Sequence, residues 1–266
     1  MNYTDLKISI IGAGNMGGAI ARGLAGAGKI KVSGITISDV NNSSLEALKL
    51  AFPEINVSNS NREIVKGADI IILAVKPWLV ETVSAEIREL IDYESQLIIS
   101  VAAGVSLNQL HDFFIGEAMI FRLIPNTAIE VSESVSTVSG SNVSKDQEIL
   151  ISELFGELGK VFIVPENQLN AFMSLSSCGI AYAFRYIRAA MEAGVEMGVY
   201  PQTAKEVVLQ TLKGAVALLE KTNAHPEAEI DKVTTPGGIT IRGLNEMEAQ
   251  GFSNAVIKGL KASKLP

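Results

Sequence analysis

The chain reads as an α/β protein with a doubly wound parallel sheet in its first half and an all-helical second half. Short β-branched runs alternate with helical patterns from Lys7 to Val164, after which strand runs stop and helical periodicity continues to the end. The strand runs are apolar almost throughout, without the polar alternation of a half-exposed sheet. That is the pattern of parallel strands covered by helices on both faces.

Strands are expected over residues 8–11, 35–38, 70–75, 97–101, 119–123 and 161–164. Pro165-Glu166-Asn167 opens the helical half, so the domains are expected at 1–165 and 166–266. Pro201 suits the first turn of a helix, whereas Gly194, Gly198 and Gly214 lower the helix propensity locally. Residues 180–199 are apolar around much of the helix circumference, and Gly and Ala between 189 and 198 allow close helix approach. A helix buried all round needs more partners than a domain of about 100 residues supplies. Either a second subunit covers it, or it is the central helix of its own domain.

Composition narrows the class of function. Of 266 residues, 47% are hydrophobic and 19% charged, ordinary values for a globular protein. With 22 Lys and Arg against 29 Asp and Glu, the formal charge is −7, which opposes attachment to nucleic acid or to an anionic membrane. One cysteine, Cys178, excludes an intrachain disulfide framework, and with two histidines the usual zinc spacings are missing. The N-terminal Met-Asn-Tyr-Thr-Asp-Leu-Lys lacks the layout of a secretion signal, so cytoplasm is the expected compartment. Residues 167–184 carry no charge or His but include Asn, Gln and three Ser, a poor membrane span.

Ile8-Ser-Ile-Ile-Gly-Ala-Gly-Asn-Met-Gly-Gly-Ala-Ile combines a strand, the spacing G-x-G-x-x-G at Gly12, Gly14 and Gly17, and a helix start. Gly12 permits the tight turn, Gly14 lets backbone reach a pyrophosphate, and Gly17 allows close helix packing. The phosphates then meet a helix N-terminus, as in Rossmann-type dinucleotide sites. Asp39 ends the second strand about 20 residues later, where an acid bonds the ribose 2′-hydroxyl of NAD and repels the 2′-phosphate of NADP. Asp39 could instead cap the helix starting near Asn42-Ser43-Ser44. The next apolar run ends Ala74-Val75-Lys76-Pro77, and Pro77 turns the chain at the carboxyl edge of the sheet, leaving Lys76 solvated or beside the nicotinamide.

The second chemical feature is Asp231-Lys-Val-Thr-Thr-Pro-Gly-Gly-Ile-Thr-Ile-Arg-Gly-Leu244, a polar turn opening a helix. Free N–H groups and a hydroxyl there suit a small anion such as a carboxylate; the plain alternative is a helix entry capped by Thr234 or Thr235. His111 and His225 lie in different halves, so no Ser/His/Asp relay is available, and Cys178 reads as a small core residue rather than a nucleophile. A nicotinamide enzyme without a proton relay reduces a carbonyl with a hydroxyl donor, or an electrophile already cationic.

Four segments together resemble the pyrroline-5-carboxylate reductase family over nearly the whole chain: GAGNMGGAIARGL from Gly12; ILAVKP ending at Pro77 with SVAAGV from Ser100; RLIPNT from Arg122; and HPEAEIDKVTTPGGITIRGL from His225. The resemblance implies a Rossmann domain and a helical domain that interlocks two subunits, a homodimer or a ring of dimers. It implies NADPH or NADH as cofactor, with Asp39-Val40 leaning to NADH because relatives preferring NADP often have Asn-Arg there. Cofactor contacts fall, by matching position, on Gly12, Gly14, Asn15, Met16, Gly17, Asp39 and Asn61, on Ala74, Val75, Lys76 and Pro77, and on Ala102, Ala103 and Gly104. Val233, Thr235, Gly237, Gly238 and Thr240 match the substrate loop, with Thr240 at the ring nitrogen. The implied reaction is hydride transfer to the C=N bond of the small molecule 1-pyrroline-5-carboxylate, giving L-proline.

Departures from the family pattern are local. Ser177, Cys178 and Ile180 replace a Gly, a Ser and a Pro, and Ala128 stands where a Pro commonly follows Pro-Asn-Thr. Two other readings remain open: a related imine or β-hydroxyacid oxidoreductase, and a noncatalytic NAD(P)-binding regulatory protein. The β-hydroxyacid reading wants a catalytic Lys early in the helical half, yet no Lys occurs between Lys160 and Lys205.

Overall fold

The computed structural model describes residues 3–264; Met1 and Asn2, which begin the N-terminal stretch read above, and residues 265 and 266 lie outside the described residues. The chain divides into two compact units, one extending to Ser177 and the other Cys178–Ser263.

In the first unit β1 (Ile8–Ile11), α1 (Asn15–Ala27), β2 (Ile35–Ser38), α2 (Asn42–Ala51), β3 (Asn56–Ser58), α3 (Asn61–Ile64) and β4 (Ile70–Leu73) follow one another. Then come α4 (Val80–Ile87), β5 (Leu97–Ser100), α5 (Leu107–Phe113), β6 (Met119–Ile124), β7 (Ser134–Ser141), α6 (Lys145–Gly156), β8 (Gly159–Ile163) and α7 (Glu166–Met173). One sheet has the order β3-β2-β1-β4-β5-β6-β7-β8. Every residue of β1, β4 and β5 is buried, because successive side chains enter opposite cores. Ile8, Ile10, Ile70 and Ile72 join one cluster with Ile20, Leu24 and Phe155. Ile11, Ile71 and Leu73 join the other with Val80, Val83 and Ile87 from α4. Two cores on two faces are what the continuous apolar runs require.

Two strands escape the hydrophobic reading. β3 is a polar, largely exposed edge strand. β7 buries Ser134, Ser136, Thr137 and Ser139, hydroxyl residues that mask a core strand. The expectation of a wholly parallel sheet is corrected here: β7 runs antiparallel to β6, and β8 pairs parallel to β7. The reason is the connection, since a short 3-10 turn, Thr127–Val131, joins β6 to β7 and leaves no room for the crossover helix that a parallel neighbour needs. The run expected to 75 also ends early: β4 stops at Leu73, so Ala74 and Val75 leave the sheet at its carboxyl edge.

Helix α7 belongs to the first unit, packing near β7, and a π-helical turn, Ser174–Cys178, follows it. The second unit holds α8 (Gly179–Glu196), α9 (Pro201–Thr222), α10 (Pro226–Val233), α11 (Ile239–Ala249) and α12 (Phe252–Ala262). Close approach occurs where expected: a Cβ on Gly194 would stand 3.1 Å from the Ala204 Cβ of α9. Of the described residues in this unit, only Gly194 and Ala204 are buried. Phe184 is 59% exposed and Met197 78%, so within one chain α8 is not a core helix, and that alternative for residues 180–199 falls away.

Candidate active site

At the carboxyl ends of β1, β2, β4 and β5 lies a cavity of about 720 Å³. These strands are parallel, and their succession, outward from β1 to β3 on one side and from β4 on the other, makes the gap between β1 and β4 the switch point where open α/β sheets take ligands. The glycine loop forms its floor. Gly12 has φ 104°, and a Cβ there would come within 2.6 Å of the Ala74 carbonyl oxygen. A Cβ on Gly17 would sit 1.9 Å from the Gly12 carbonyl oxygen, so helix α1 can pack this closely only without one. At Gly14 a Cβ would meet nothing within 4 Å. No contact within the chain therefore requires glycine at position 14. Gly14 is also the N-cap of α1, and no side chain caps it. Uncapped N–H groups and the positive helix end face the cavity, a cradle that fits a dinucleotide pyrophosphate.

The cavity gathers most of the cofactor residues read from the sequence: Gly12, Gly14, Asn15 and Met16 from the loop, Asp39 and Asn61, Ala74 to Pro77, and Ala102 with Ala103. Gly17 lies beneath it as a packing residue, and Gly104, with φ 80°, is in the turn after Ala103 but outside the lining. Asp39 accepts the Ala13 N–H at 2.6 Å and the Asn41 N–H at 2.8 Å, tying the end of β2 to the glycine loop. It does not cap α2; Asn41 does, accepting the Ser43 N–H at 3.0 Å. Lys76 is exposed and lines the cavity.

Sequence reasoning missed Ser38, Leu79, Val83 and Glu86, which also line the cavity. Val83 and Glu86 are three apart on α4, hence on one face, but that spacing alone does not mark them as lining a site. Ser38 donates to Asn61 Oδ1 at 2.7 Å, and Asn61 Nδ2 donates to Glu86 Oε2 at 2.8 Å.

In the second unit Val233, Thr235, Gly237, Gly238 and Thr240 come together at the α10–α11 turn. The Gly238 N–H donates to the Thr235 carbonyl at 2.9 Å, with Pro236 and Gly237 between and Gly237 at φ 73°. Proline followed by a glycine of positive φ is what a type II turn requires. A Cβ on Gly238 would lie 2.6 Å from Thr235 Oγ1, so the second glycine makes room for that hydroxyl. The Gly238 N-cap of α11 has no side-chain cap. Thr234 instead donates back to the Asp231 carbonyl of α10 at 3.2 Å, and the reading of Thr234 or Thr235 as a cap for α11 is not what is found. Arg242 braces the turn, donating to the Gly237 carbonyl at 3.4 Å.

The remaining candidates are architectural. His111 Nε2 meets Ser141 Oγ at 2.9 Å, and His225 caps α10 by accepting the Glu227 N–H at 3.3 Å. Cys178 is half-buried at the start of α8. Arg122, 5% exposed, pairs with Glu166 at 2.6 Å and so ties β6 to α7. Ala128 donates its N–H to Asn126 Oδ1 at 3.0 Å, a bond a proline there would lack. Ser177, which stands for a glycine, donates to the Pro125 carbonyl at 2.7 Å. Among the described residues no cluster of His, Cys, Asp and Glu is arranged to hold a metal, and no helix is long and apolar enough to cross a membrane.

Comparison with known proteins agrees with this layout. Residues 166–265 match the family model described as pyrroline-5-carboxylate reductase dimerisation, and residues 7–104 match one described as NADP oxidoreductase, coenzyme F420-dependent. Pyrroline-5-carboxylate reductase 1 of Dictyostelium discoideum is 37% identical over 99% of this chain, which spans 49% of that relative. Pyrroline-5-carboxylate reductase of Arabidopsis thaliana is 34% identical, over 98% of this chain and 95% of its own. The crystal structure of Plasmodium falciparum pyrroline carboxylate reductase with NADP bound superposes with a TM-score of 0.90 at 28% identity, covering 98% of this chain and 96% of that one. With relatives this similar along nearly the whole of this chain, and with its helical half matching the family's own dimerisation model, the chain belongs to the pyrroline-5-carboxylate reductase family.

Proposed function

We propose that the protein reduces 1-pyrroline-5-carboxylate to L-proline with NADH or NADPH. The observation that carries this reading is the pairing, in one chain of this family, of a dinucleotide cradle with a second, uncapped helix N-terminus beside two threonine hydroxyls. Bound nicotinamide supplies the hydride that the C=N bond accepts. Every other contribution comes from the chain. The glycine loop and the α1 N-terminus hold the pyrophosphate, Asp39 and Asn61 hold the adenosine end, and residues 74–77 and 102–104 border the rest. The N–H groups of the Thr235–Gly238 turn and of the first turn of α11 hold the substrate carboxylate. The Thr240 hydroxyl bonds the ring nitrogen and carries its proton. Since the protonated imine is already electrophilic, catalysis rests on holding donor and acceptor at near-attack distance rather than on a strong acid. That fits a site in which neither histidine takes part.

The helical half from residue 166 supplies both the substrate turn and the subunit contact. A unit with two buried residues cannot pay the entropy of ordering five helices alone, so a second copy covers it, giving a homodimer; a ring of such dimers is the larger assembly of this reading. The single cysteine favours the reducing cytoplasm. Val40 offers no cation for a 2′-phosphate and Asp39 opposes one, which supports a preference for NADH. Following NADH and NADPH oxidation separately on adding pyrroline-5-carboxylate tests both claims. Turnover with NADH ahead of NADPH is expected; dinucleotide binding with no turnover would replace this reading by the noncatalytic one.

A further inference from the structure

Resting on the cofactor site of that reading, we propose that Glu86 is a positioning residue that sets which way the Asn61 amide faces the dinucleotide. Asn61 opens α3 and lines the cavity beside Ser38, with Glu86 reaching it from α4. A primary amide carries one oxygen that accepts and one nitrogen that donates twice, and its two ends are nearly equal in shape. The Ser38 hydroxyl, 2.7 Å from Oδ1, can donate or accept and so tolerates either orientation. The Glu86 carboxylate can only accept. At 2.8 Å it forces the amide nitrogen toward itself, and the oxygen toward Ser38.

That leaves one Nδ2 hydrogen uncommitted on a residue that lines the cavity, a donor suited to an acceptor of the adenosine, either a ribose oxygen or a ring nitrogen. The backbone around Glu86 is fixed as well, because Arg62, next to Asn61, donates Nη1 to the Glu86 carbonyl at 2.7 Å. Removing the carboxylate therefore leaves α3 and α4 joined while freeing the amide to invert and present its oxygen, which repels the same acceptor.

The test is dissociation constants for NADH and NADPH, measured by calorimetry without substrate, on wild type, Glu86→Ala, Glu86→Gln, Asn61→Ala and the Glu86→Ala/Asn61→Ala double variant. Glu86→Ala should weaken binding about 5- to 10-fold, the worth of one hydrogen bond. Glu86→Gln, whose carbonyl still accepts the Asn61 N–H, should restore binding to within about 2-fold. The double variant should bind no worse than Asn61→Ala, since Glu86 acts through Asn61. In turnover the KM for cofactor should rise while the KM for pyrroline-5-carboxylate and kcat stay put. Wild-type affinity in Glu86→Ala, losses that multiply in the double variant, or failure of Gln to rescue would each overturn the proposal. A merely structural role would lower the melting temperature and move the pyrroline KM instead. Wild type that binds neither dinucleotide would sink the functional reading itself, a result distinct from all of these.

Discussion

Two alanine substitutions, three residues apart in sequence, separate a glycine kept for a ligand from one kept for packing. Gly14→Ala introduces a Cβ with nothing within 4 Å, at φ −68°, a conformation alanine adopts freely. The unfolded chain loses freedom, worth about 0.4–1 kcal/mol in favour of the native state. Alanine is a poorer N-cap than glycine by about the same amount, so folding stability should hardly move. The new methyl group stands where phosphate oxygens would approach the α1 N–H groups. Losing one charge-assisted hydrogen bond, about 1.5–3 kcal/mol, weakens dinucleotide binding about 10- to 150-fold. Gly17→Ala reverses the ledger: its Cβ would lie 1.9 Å from the Gly12 carbonyl oxygen and 2.9 Å from the Ala74 Cβ. Overpacking against backbone costs about 3 kcal/mol, or ~6–12 °C of melting temperature for a unit of this size. Thermal melts with and without NADH, together with calorimetric titration, read both quantities. Gly14→Ala protein that binds NADH and NADPH as wild type does would refute the placement of the pyrophosphate, and an unchanged melting temperature for Gly17→Ala would refute the packing argument.

Thr240→Ala should lower kcat about 10- to 100-fold by removing the ring-nitrogen partner, with the NADH dissociation constant unchanged; equal kcat would remove Thr240 from the mechanism. Asp39→Asn should raise the ratio of kcat/KM for NADPH to that for NADH about fivefold, from the ~1 kcal/mol repulsion between unit charges about 4 Å apart in water. A ratio that stays fixed would show that the carboxylate serves only the Ala13 and Asn41 N–H groups. Asp92 lies away from the site, and its bond from the Ser95 hydroxyl, followed by that from the Glu94 N–H, holds its carboxyl below the usual carboxylate range. A folded pKa below the unfolded one stabilises the native state above the unfolded value of about 3.9 and loses that effect as pH falls through the folded pKa. Asp92→Asn should therefore flatten the acid limb of a pH–melting curve, while a curve parallel to wild type would discount the turn.

Much of the first unit was legible from residue order because its rules are local. Apolar β-branched runs mark buried parallel strands, and of the three glycines the turn at Gly12 and the packing contact at Gly17 each have their own geometric cause, while a Cβ at Gly14 would meet nothing within 4 Å. The Thr-Thr-Pro-Gly-Gly run likewise encoded its turn, since proline and a positive-φ glycine leave the backbone few alternatives. Tertiary structure decided what depends on partners distant in sequence. β7 was hidden because hydroxyl residues make up most of what it buries, and its direction followed from a short connection rather than from composition. Whether Asp39 caps a helix or braces the glycine loop turned on an N–H 26 residues away. Glu86 carried no signal as a cavity residue until α4 was laid beside α3, because a lone acid on a helix is most often solvated. Local stereochemistry is written in the order of the residues; hydrogen bonds between elements, which orient the site, exist only once the chain has closed.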